Sequence, residues 1–246
     1  MKRLYEKSEI WFAVAWIIAY CVLLSLGDNI SAELGLINVA TFPIALVLSF
    51  VLFLFLKRNG LLETYGLCKS KVPASNMLFY IPVLVMLTAN LWYGIGIYVS
   101  PIEAVCYVLT MLCVGFLEEV IFRGLLFNAM RKDGVKSAIL VSSLTFGMGH
   151  IINLFNGSGA EILPNLSQVV YATAAGFMFV MIYYKTESLI VCIVAHGVFN
   201  ALSVFVNEAA VTDTMQILSC VFLIVVCGGY GAYLVGNKND LCARDN

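Results

Sequence analysis

Glu118 and Glu119 stand side by side in FLEEVIFRGLLF (116–127), with Arg123 four residues further on. The chain has two histidines, His150 in SLTFGMGHIINLF and His196 in LIVCIVAHGVFNALS, and Asn200 follows the second by four. These are side chains of proton transfer and charge stabilisation. A carboxylate and an imidazole can draw a proton from water, and imidazole and carboxamide N–H groups can receive a developing negative charge. Glu119 and Arg123 are spaced i,i+4 with the acid first, the favourable order for an intrahelical ion pair. Glu118 diverges from its neighbour by about 100° on a helix and lacks that partner, which suits a general base. His196 and Asn200 share one helix face, as do Phe146 and His150.

Each residue alone also has a plainer reading. Arg123 could serve only to neutralise Glu119, either histidine could simply bridge helices, Asn200 could be glue, and Phe146 reads as packing. Structural glue has no need of the whole set. Glu118, His150 and His196 would make a His₂Glu set for Zn²⁺. No HExxH is present, and an asparagine on the face of the second histidine favours an oxyanion pocket over a third ligand. The expectation is therefore no cofactor, with Zn²⁺ at those three residues as the alternative.

The elements that must position these groups are membrane helices. Of 246 residues 61% are hydrophobic and 12% charged, against roughly 25% charged in a soluble domain. The mean hydropathy is +0.94. The apolar runs are continuous rather than alternating, which excludes a membrane barrel and predicts an all-α polytopic protein. A net charge of −1 gives no footing for nucleic acid. The eight cysteines are scattered without a CxxC pair and read as small packing residues. The run 10–26 is expected to be a retained helix rather than a signal peptide, and Cys242, fifth from the end, makes no C-a-a-X signal.

Eight spans are predicted, at roughly 10–27, 36–56, 77–99, 104–130, 137–154, 165–184, 188–206 and 215–235, within one membrane domain, 1–246. Ser100-Pro101 and Asn156-Gly157-Ser158-Gly159 mark breaks. Thirteen of the 14 Lys and Arg fall in loops on one side, including Lys2, Lys57, Lys71, Arg131, Lys185, Lys238 and Arg244. That bias predicts that both termini are cytoplasmic in a cell membrane. The loop from Lys57 to Asn76 is long enough for a short amphipathic piece.

Counted from the flanks expected on the cytosolic side, Arg131, Lys136 and Glu187, Glu118, His150 and Asn200 lie about 20 Å along their helices and His196 about 14 Å. Three helices thus bring polar groups to a similar level, and the expectation is a polar intramembrane cavity open to the cytosol. Ionisable groups at that depth are functional by default.

These residues also resemble a known family. Glu118-Glu119-Val-Ile-Phe-Arg123-Gly resembles the EExxxR motif of the CAAX proteases and bacteriocin-processing (CPBP) proteins. Phe146-Gly-Met-Gly-His150 resembles its FxxxH motif, and His196-Gly-Val-Phe-Asn200 its HxxxN motif. The match covers about 104–204. The resemblance implies an eight-helix intramembrane endopeptidase acting on a membrane-anchored or hydrophobic peptide. In it Glu118 and His150 would activate water, His196 and Asn200 would stabilise the oxyanion, and Glu119 and Arg123 would hold the site. A proton- or ion-coupled transporter and a non-catalytic immunity or scaffold protein remain the competing classes.

Overall fold

The computed structural model describes residues 1–156 and 161–237. Gly157 to Gly159 of the expected turn, and the basic Lys238 and Arg244, lie outside the described residues. Among the described residues seven helical segments are long and apolar enough to cross a membrane, and Ile190–Phe205 is a shorter apolar helix. The chain is an all-α polytopic membrane protein.

The first span, α1, is Glu9–Leu34, opened by the Ser8 side chain accepting from the Trp11 N–H and closed by Gly35 in the left-handed conformation. Helix α2 is Thr41–Arg58. Where one span was expected over 77–99, a short helix α3, Ile81–Leu87, sits between the 3₁₀ turns Ala74–Tyr80 and Ala89–Tyr93. Together they form the helical segment Ala74–Tyr93, which stops short of residue 99 where Gly94 takes φ 85°, and Ile95 then pairs as an extended bridge with Val206. Past Arg58, where α2 ends, the connection to Asn76 holds no α-helix. Its Tyr65 is instead buried, donating to the Tyr5 hydroxyl at 3.1 Å.

Helix α4 runs 31 residues, Pro101–Arg131, starting from a capping box between Ser100 and Glu103. Its segment Glu119–Phe127 is π-helical and entirely buried. Such wide turns are rare and occur often at functional sites. Helix α5 is Val135–Gly149, α6 Ile162–Thr186, α7 Ile190–Leu202, and α8 Asp213–Gly236 with a π turn at Ile224–Gly228.

Contacts between loops define the two ends of the bundle. At the basic end Lys132 pairs with Glu9 at 2.6 Å, Lys71 pairs with Glu187, and the Leu189 N–H donates to Gly66. At the opposite end Thr41 and Asn156 both donate to Asp28, and the Ile37 N–H donates to Glu103 at 3.0 Å. The motif residues lie between these ends.

Candidate active site

The site is assembled where α4 crosses α7. A Cβ on Gly115 would come within 2.6 Å of the Gly197 nitrogen and 2.7 Å of its Cα. The absence of side chains on both partners lets the backbones nearly touch. One turn beyond Gly115, Glu118 and Glu119 are thereby delivered to His196, the neighbour of Gly197.

His196 lies between the two acids. Its Nδ1 is 2.8 Å from Glu119 Oε1 and its Nε2 is 3.4 Å from Glu118 Oε2. The same Glu119 oxygen is 3.1 Å from an Arg123 guanidinium nitrogen, with neither side chain exposed. Phe146 roofs the cluster. Its ring lies 4.0 Å from the Arg123 guanidinium carbon and meets the rings of His150 and His196 edge-on at 5.3 and 5.5 Å. A guanidinium over an aromatic face gains electrostatically from the ring quadrupole, so Phe146 does more than fill space. Phe179 stacks on the other side of His196 at 5.8 Å. Gly176 admits this arrangement, since a Cβ there would sit 3.2 Å from Arg123 and 3.1 Å from Phe146.

Tyr20 on α1 was not legible as a site residue. Its hydroxyl donates to Glu118 Oε1 at 2.5 Å across 98 residues of sequence. Glu118 Oε2 is buried and has no hydrogen-bond partner among the described residues.

His150, His196 and Asn200 all line one cavity of about 30 Å³, together with Gln168 and Tyr171. That is room for about two waters. The His150 ring takes part in a 3.1 Å hydrogen bond with the Phe146 carbonyl, and its own carbonyl accepts from Asn165. Glu118 stands off this cavity, reaching it past His196, and forms no ion pair with His150.

A second cavity shares Tyr171, Phe199 and Leu223 with the first as lining residues and extends towards Ser203, Val206 and Val211. This is the bundle end away from the basic loops, whereas the expectation was an opening on the side of those loops. Packing decides it. Tyr65, Thr186, Ser188 and Leu189, at most 3% exposed, fill the basic side beneath the cluster. Depth along a helix places a residue midway, and cannot show which half of the bundle is filled.

No three His, Cys, Asp or Glu side chains among the described residues are grouped to hold a metal ion. His196 presents one nitrogen to each glutamate, and His150 forms an ion pair with neither. The Glu118–His150–His196 set, as placed, does not fit a three-ligand metal centre.

Comparison with known proteins agrees with the geometry. Residues 100–202 match the family model described as type II CAAX prenyl endopeptidase Rce1-like. A curated relative, "Putative membrane peptidase YdiL" of Bacillus subtilis (strain 168), is 29% identical over 113 residues, 46% of this chain and 41% of the relative. The chain therefore spans less than half the length of that relative. No solved structure matches significantly. The fold and site define a polytopic membrane protein with a buried Glu–His–Arg centre. Through residues 100–202 the chain is similar to the type II CAAX prenyl endopeptidases of the CAAX-protease (CPBP) group.

Proposed function

We propose that the protein is an intramembrane endopeptidase that hydrolyses a peptide bond of a membrane-anchored or hydrophobic peptide. The observation that carries this reading is Glu118. One carboxylate oxygen is tied to Tyr20, while the other is buried, unpartnered among the described residues, and faces His196 at 3.4 Å. An unpartnered buried carboxylate oxygen is costly unless something such as water satisfies it. A water held there is where a general base needs it.

In this mechanism Glu118 takes a proton from that water as it attacks the scissile carbonyl. His150, on the wall of the same cavity as His196, holds the water or substrate from the other side. Glu119, shared between Arg123 and His196, accepts from His196 Nδ1 and fixes the ring, so Nε2 faces the reacting centre. In the imidazolium form Nε2–H and the Asn200 carboxamide donate to the oxyanion. The proton held by Glu118 then passes to the leaving amine. Tyr20 and Arg123 position the two acids and do not touch substrate. The protein would act in a cell membrane with its basic loops cytoplasmic.

The test is cleavage of a fluorogenic peptide bearing a transmembrane anchor by protein in liposomes. Glu118→Gln is expected to lose activity by at least about 10²-fold, the scale of general-base removal, and His150→Ala to fall likewise. Full activity in Glu118→Gln would overturn the reading. Retained activity in chelator is expected of a mechanism that runs through these side chains alone.

A further inference from the structure

The second cavity has a volume of about 190 Å³, several times that of the first. Its walls carry Asn90, Tyr93, Ser167, Ser203, Gln216 and Ser219. Ser167 and Ser219 are 9% and 7% exposed, and neither hydroxyl has a hydrogen-bond partner among the described residues, nor has the Gln216 amide. On α8 the pattern is inverted for a surface helix. Ile217, Leu218 and Val221 point outward, 49–61% exposed, while Gln216 and Ser219 line the cavity. A helix meeting lipid places polar groups inward only where protein or water satisfies them. Here protein does not. The cavity holds room for roughly a dozen waters, and it runs to the α7–α8 connection, at the end opposite Lys71, Lys132 and Lys185.

Resting on the protease reading, we propose that this cavity is the entry chamber, through which water and a peptide segment reach His196 from the bundle end opposite the basic loops. With the basic loops cytoplasmic, the substrate is a peptide presented at the extracytoplasmic face. The polar groups among its lining suit the backbone and small or polar side chains of a peptide. The buried layer of Tyr65, Thr186, Ser188 and Leu189 closes the other route.

Sidedness can be read without catalysis. In a cysteine-free background, Gln216→Cys probes the chamber and Lys71→Cys, 44% exposed, marks the basic end. Each is treated with a membrane-impermeant sulfonated maleimide in sealed right-side-out and inverted vesicles. The expected result is labelling of the two from opposite faces. Labelling from the same face, or none at Gln216→Cys in intact vesicles, would overturn the proposal. Filling the chamber with Ser219→Trp is expected to slow cleavage of the anchored fluorogenic peptide at least tenfold, and an unchanged rate would count against it. The labelling is repeated in Glu118→Gln. If that variant still cleaves, the protease reading fails while the sidedness stands or falls on its own.

Discussion

Arg123 carries its charge with no exposed surface, held by Glu119 at 3.1 Å and by the Phe146 ring at 4.0 Å. Removing one member of a buried pair strands the other charge, at a cost of about 3–5 kcal/mol. Arg123→Met is therefore expected to lose about that much stability in denaturant titration of the micellar protein, and the double change with Glu119→Gln to recover part of it. An unperturbed single variant would show that the pair is solvated. Tyr20→Phe tests a different role. Hydrogen bonds to charged groups are worth about 1.5–3 kcal/mol, so the melting temperature is expected to fall modestly, while kcat measured on the folded protein falls about 10- to 100-fold with KM unchanged. A fall in KM-controlled binding alone would remove Tyr20 from the positioning of Glu118. The acid doublet, its arginine and both histidines were legible from type and spacing. Tyr20 was not, because a tyrosine in an apolar helix carries no local mark of a partner 98 residues away. His196 was legible as a site residue but not as the bridge between the glutamates, since that contact belongs to the crossing of two helices.

The crossing of α4 and α7 is set by Gly115 against Gly197, and the acids follow within one turn. Gly115→Ala would press a methyl within 3.0 Å of backbone atoms that have no flexible end to yield. The two helices must part, at a cost of about 1–3 kcal/mol for overpacking. The expected outcome is a lower melting temperature and a larger loss of kcat than stability alone explains, because the 2.8 Å Glu119–His196 contact is stretched. Gly228→Ala on α8 has open space around its Cβ position and serves as the control; an equal effect in both variants would sink the argument. Apolar length made most spans legible, including the long fourth one with its start near Pro101. The π-helical Glu119–Phe127 was not, for the residues obey an ordinary helical pattern and the widened turn arises from burial on every side. Likewise the third span stops at Tyr93, where Gly94 and Gly96 give way to an extended segment that runs of apolar residues alone resemble in sequence.

Across the whole molecule two apolar clusters meet along α6. One gathers α1, α2, α4 and part of α5, including Phe12, Leu52, Leu117 and Phe146; the other gathers α3, α7 and α8, including Met86, Phe179, Ala195 and Leu223. The first cavity lies on that seam, drawing Phe146 and Ala172 from one cluster and Met86, Phe179 and Leu223 from the other. Charge bias in the loops set out which residues share an end of the bundle, and the loop contacts agree. It could not reveal which half between the ends is hollow, since that depends on Tyr65 and Leu189 filling one side. A seam can admit a peptide only if its walls move apart, and about 30 Å³ beside His196 is too little for a peptide backbone as it stands. On the protease reading, helices α3 and α8 have to separate for a peptide to reach the centre. In the cysteine-free background, Asn90→Cys with Gln216→Cys places one thiol on each wall of the second cavity. Joining them with a short reducible bifunctional reagent is expected to cut cleavage of the anchored peptide at least tenfold, and reduction to restore it. Each single-cysteine variant treated alike should keep its rate. Undiminished cleavage in the joined protein would mean that the peptide enters elsewhere and that this seam stays shut during turnover.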